Sequence, residues 1–67
     1  MHIRLNGEDH RTAAATVHSL LMEQDIDAEM RGVAVALNDS VVPRSAWQIT
    51  KIGDGDTIEI VKPFRGG

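Results

Sequence analysis

Cysteine is missing from this 67-residue chain. That excludes a disulfide scaffold, a thiolate zinc site, and any cysteine nucleophile or persulfide carried by the chain itself. Aromatic residues are scarce as well: one Trp, one Phe and no Tyr. The basic residues Arg4, Arg11, Arg31, Arg44, Lys51, Lys62 and Arg65 are scattered, and the formal net charge is -3. No basic stripe forms, so nucleic-acid binding has little electrostatic support. A mildly acidic domain suits a basic protein partner better. Nor is there an apolar run near the roughly 20 residues that span a membrane. Met1-His2-Ile3-Arg4-Leu5 lacks the apolar stretch of a secretion signal, so the expected location is the cytoplasm.

What is present is an ordinary globular composition, 42% hydrophobic and 25% charged, enough to form one small domain. A chain of this size has no room for a deep cleft between two lobes. No Ser, His and Asp set can be argued into a triad. His2, His10 and His18 lack metal-ligand spacing and fall on different elements. Asp54-Gly55-Asp56 has two carboxylates but not the other ligands of a calcium loop, so it reads as a turn. Neither catalytic residues nor a metal site are therefore expected.

Met1, Ile3 and Leu5 alternate with polar residues, the period of a half-buried strand. Asn6-Gly7 signals a hairpin, and a polar return strand from Glu8 to about Thr12 belongs at or near a sheet edge. Thr16 has the character of a helix N-cap, with Val17, Leu20 and Leu21 on one face of a helix running to about Gln24. Asp27 to Gly32 reads as a loop. Val33 to Leu37 is the clearest strand: Val33, Val35 and Leu37 share one face, and the other carries only Ala34 and Ala36. Asn38-Asp39-Ser40 reads as a turn, and Val41-Val42 as a short strand stopped by Pro43. Ser45-Ala46-Trp47 suggests a helical turn with Trp47 as a core lid, and Ile49 and Ile52 as further apolar contacts. After the Gly53–Asp56 turn, Thr57 to Lys62 is the last strand, with Ile58 and Ile60 facing one way.

One helix among four to five strands has a single apolar stripe, so it must pack on one face of a mixed sheet. This is the α+β architecture of the β-grasp, or ubiquitin-like, fold, with first and last strands side by side at the sheet centre. The expected division is a folded domain over 1–63 and a flexible Gly-Gly tail over 64–67. Four extended residues reach roughly 14 Å, enough to enter another protein's active site.

The chain resembles the ThiS-type sulfur-carrier proteins of thiamin biosynthesis, within the wider ThiS/MoaD family. The resemblance runs through Asn6-Gly7, Thr16 to Leu21, Val33 to Asn38, Val41-Val42-Pro43-Arg44, Trp47, Gly53-Asp54-Gly55-Asp56 and the closing Gly66-Gly67. Phe64-Arg65 before the glycines is less usual for that family and leaves partner specificity open. The resemblance implies a carrier rather than an enzyme. An E1-like adenylating partner, similar to ThiF, would use ATP and magnesium to activate the Gly67 carboxylate. Sulfur from a cysteine desulfurase route would displace AMP to leave a thiocarboxylate, and a ThiG-like thiazole synthase would receive it. The chain itself would bind no cofactor. Related carriers serve molybdopterin, cysteine or tRNA thiolation, and a non-covalent β-grasp binding module is a further alternative.

The chemistry agrees with a reactive terminus. A carboxylate is a poor electrophile until activated, and Gly66 and Gly67 lack the Cβ that would hinder threading through a narrow channel. Arg44 is either a partner contact or a salt-bridge donor. Phe64 either anchors the tail root in a partner or packs on its own sheet, with Arg65 beside it as a candidate contact. Ala34 and Ala36 form either a docking patch or ordinary sheet packing.

Overall fold

Asn6-Gly7 and Asn38-Asp39 set the frame, because each is a two-residue turn with both backbones at positive φ (51° and 83°, then 49° and 70°). That geometry matches the twist of paired strands, and Asn and Asp tolerate it better than other side-chain-bearing residues. The computed structural model describes residues 1–63. The first turn joins β1 (His2–Leu5) to β2 (Glu8–Arg11), and the second joins β3 (Ala34–Leu37) to β4 (Ser40–Val42). Ser40 is thus the first residue of β4 rather than part of the turn, since two left-handed residues suffice to close it. The last strand, β5 (Thr57–Val61), is inserted between the hairpins, giving the order β2-β1-β5-β3-β4. It runs parallel to β1 and antiparallel to β3. This is the expected β-grasp sheet, with the polar strand β2 at one edge.

The single α-helix among the described residues, α1 (Val17–Glu23), covers one face. Thr16 caps it, its hydroxyl accepting from the Ser19 amide at 3.1 Å. Val17, Leu20 and Leu21 are fully buried against Ile3, Val35, Ile58 and Ile60 of the sheet. Gln24 closes the helix, and Ile26 folds back into the core. Trp47 is interior rather than a lid: it is 2% exposed, and its indole Nε1 donates to the Val42 carbonyl at 2.9 Å.

Ile49 corrects the sequence reading. Paired with Ile52 as a further apolar contact, it is instead 77% exposed, whereas Ile52 is buried. Residues 44–50 wind helically, with the Trp47 amide donating to the Arg44 carbonyl and the Thr50 amide to the Ala46 carbonyl. Two positions along such a turn are about 200° apart. With Trp47 inward, Ile49 must face solvent.

Candidate functional site

β5 is the central strand of the sheet, bonded on both sides as its neighbours β1 and β3 also are. Arg4 and Leu5 pair with Thr57 and Ile58 on one side; Ala34 to Leu37 pair with Val61 to Ile58 on the other. The two turn asparagines add side-chain bonds. Asn38 Oδ1 accepts from the Thr57 amide at 2.9 Å, and Asn6 Oδ1 accepts from the Ile60 amide at 2.8 Å. Both residues stood out in the sequence only as turn formers. Their reach across to β5 depends on a sheet order that no local pattern displays.

The face of the sheet away from α1 carries the expected alanines. Ala34 is exposed and Ala36 half-buried. The register sets Ala34 beside Val61 and places Ala36 between Glu59 and Val41. Val61 is 61% exposed and Val41 78% exposed. The patch is therefore Ala34, Ala36, Val41 and Val61, with Glu59 among them and the Arg4–Asp9 pair (3.8 Å) farther along the face. Alternation alone places Val61 opposite Ile58 and Ile60, but only the strand order brings it next to the alanines. The small side chains at 34 and 36 leave the backbone open to close approach, with the two valines raised on either side.

Arg44 lies elsewhere. Its Nη1 donates to the Ala28 carbonyl and its Nη2 to the Met30 carbonyl at 2.6 Å, while its guanidinium lies 4.6 Å from the Trp47 ring centroid. Its partners among the described residues are carbonyls and an aromatic face rather than a carboxylate, so of the two readings offered for Arg44 the salt-bridge donor is not met there. With His18 of α1 it lines an open hollow of about 370 Å³ on the helix side. The structure does not bring Arg44 together with Ala34 and Ala36. The Gly53–Asp56 carboxylates close the turn and tie it to its neighbours: Asp56 accepts from the Gly53 amide at 2.7 Å and from the Asn38 side-chain amide at 3.1 Å, and Asp54 accepts from the His2 amide of β1 at 2.8 Å. Phe64, Arg65, Gly66 and Gly67, the expected tail residues, lie outside the described residues.

Beside the edge strand β2, Thr12 donates its hydroxyl to the Glu23 carboxylate at 2.8 Å and accepts from the Ala14 amide at 2.9 Å. His10 Nε2 stands 3.2 Å from Glu23 Oε1. The Thr12 hydroxyl first, and His10 second, hold the Glu23 carboxyl below its ordinary value. This cluster ties β2 to the end of α1. Among the described residues no group of three or more His, Asp or Glu side chains is arranged to hold a metal ion, and no helix is long and apolar enough to cross a membrane.

Comparisons with known proteins agree with this architecture. The chain is 37% identical over 68 residues to the sulfur carrier protein ThiS of Escherichia coli, covering the whole of both. It is 40% identical to a thiazole synthase of Paramagnetospirillum magneticum, and there it spans only 20% of the relative's length. The crystal structure of the thiamine biosynthesis protein ThiS from Geobacter metallireducens superposes with a TM-score of 0.80 at 31% identity, covering both chains fully. A solution structure of a thiamine biosynthesis protein from that organism gives 0.82 at 32%, covering 88% of that chain. The family model described as "ThiS family" matches residues 3–67. With that match and a fold shared from end to end, the chain belongs to the ThiS family.

Proposed function

We propose that the chain is a sulfur carrier for the thiazole ring of thiamin, with Gly67 as the acceptor. The observation that carries this reading is the position of β5: bonded on both flanks, it delivers the chain at Val61 beside an exposed apolar face. The face docks on a partner, and the tail beyond Pro63 enters that partner's active site. An E1-like adenylating enzyme with ATP and magnesium joins the Gly67 carboxylate to AMP and releases pyrophosphate. The terminal sulfur of a persulfide formed by a cysteine desulfurase attacks the carbonyl carbon, AMP leaves with the bonding electron pair, and a thiol reductant cleaves the S–S bond of the acyl disulfide so formed. The resulting thiocarboxylate passes its sulfur to a thiazole synthase. The namesake carrier that matches this chain from end to end supports the role. So does the thiazole synthase containing a similar segment. The setting is the cytoplasm, where ATP is at hand.

The chain's own part is positioning rather than bond making. Gly66 gives the tail passage, and Phe64 and Arg65 stand where partner choice is made. Intact mass spectrometry tests the reading. After incubation with the cognate adenylating enzyme, ATP and a sulfur source, the chain should gain the mass of one oxygen exchanged for sulfur. A chain lacking Gly67 should show no exchange while its circular dichroism is unchanged. An unmodified wild-type mass beside a demonstrably active partner would overturn the proposal.

A further inference from the structure

Among the described residues, the chain beyond β5 meets the loop before β3 at Gly32. Gly32 has φ +87°, a conformation that side-chain-bearing residues rarely adopt, and the Pro63 ring packs directly on it. A Cβ placed on residue 32 would lie 3.1 Å from Pro63 Cβ, closer than the two can sit without one giving way. Pro63 also borders a hollow of about 300 Å³ with Asp25, Ile26, Met30 and Lys62, and it is only half-buried. The loop that presents Gly32 is held in place. Asp27 turns it, accepting from the Glu29 amide through Oδ1 (2.9 Å) and from the Met30 amide through its carbonyl (3.0 Å). Arg44 then grips it from outside through the Ala28 and Met30 carbonyls, with its guanidinium supported by the buried Trp47 ring. Val33, directly after Gly32, is buried.

We propose that Gly32 and Arg44 are positioning residues for the C-terminal tail: Gly32 seats Pro63, and Arg44 fixes the loop that makes the seat, so that the chain leaves the domain in one direction. This rests on the carrier reading above and adds to it. The Val-Pro-Arg segment then acts inside the domain, as a strut between the core tryptophan and the tail root. Proline suits the seat because its ring restricts φ before any partner is met. Neither residue belongs to the outer-face patch, so both act on how the tail is aimed and not on how firmly the domain docks.

The test separates those two effects. In pyrophosphate-release assays with the cognate adenylating enzyme, Pro63→Ala should lower kcat roughly two- to fivefold, the factor by which a proline narrows the backbone freedom of one residue. KM for the carrier should stay unchanged. Arg44→Gln should show the same split. The heteronuclear NOE of the Lys62 amide should fall in both variants while that of Ile58 holds, which reads the seat without any partner. Gly32→Ala is the poorer probe, because its strain acts on stability as well. Equal kcat for Pro63→Ala and wild type would overturn the seat. A rise in KM alone for Arg44→Gln would make Arg44 a docking contact and overturn its role as strut. A wild-type chain that is never adenylated would instead overturn the carrier reading beneath the proposal.

Discussion

Val61 offers the sharpest test of the docking face. It is 61% exposed, at the end of β5 and beside Ala34. Burying a whole valine side chain is worth about 1.5–3 kcal/mol, so the exposed part of Val61 holds about 1–2 kcal/mol for a partner to gain. That is roughly a five- to thirtyfold change in Kd. Val61→Asp forfeits it and sets a second carboxylate on the face that Glu59 already occupies, so the loss should reach about tenfold or more. The assay is isothermal titration against the adenylating partner with ATP omitted, so that binding is read without chemistry. Met22 supplies the control. It too is 61% exposed, but on α1, which lies across the opposite face. Met22→Asp should bind as wild type. Val61→Thr, which keeps the β-branch, should lose less than the aspartate and confirm that the strand is intact. Equal losses from Val61→Asp and Met22→Asp, or no loss from Val61→Asp with an unchanged melting curve, would refute the assignment of this face.

Trp47→Phe removes the bond to the Val42 carbonyl, about 1 kcal/mol, and leaves part of the indole volume empty, about 1–2 kcal/mol more. In a domain of this size the melting temperature should fall by roughly 10–20 °C, read by calorimetry because the only tryptophan is gone. Glu23→Gln tests the Thr12 cluster. A carboxyl held below its ordinary value near 4.5 contributes stability above that pH and loses it as pH falls through the lowered value. The advantage of wild type over Glu23→Gln in urea midpoint should therefore be constant near neutrality and shrink below about pH 4.5.

Much of the frame was legible because it follows local chemistry. The alternation of β1, the capping threonine at 16 and the 17–20–21 stripe each act over a few residues, and each lies where its pattern predicts. Helix count and strand order then limited the sheet to one plausible topology. What escaped was set by distance or by angle. Ile49 is apolar, and apolar content alone does not say that a helical turn would rotate it outward. Arg44 carries a charge that suggests an ionic partner, but its partners are carbonyls 14 and 16 residues away. The asparagines at 6 and 38 announce turns and conceal their hold on β5. Gly32 looked like one more loop residue, and its neighbour Pro63 is met only once the sheet has closed.

The placement of β5 has a mechanical side. A load on the chain beyond Pro63 runs along the axis of a strand whose ladder bonds lie across that axis, to β1 on one flank and β3 on the other. Such bonds are strained in shear, many together, rather than peeled apart one after another as at a strand loaded from the side. The Asn6 and Asn38 side chains add two more cross-ties to the same strand. A pull applied at Pro63 therefore moves the domain as one body, and the handle does not unravel what it is attached to.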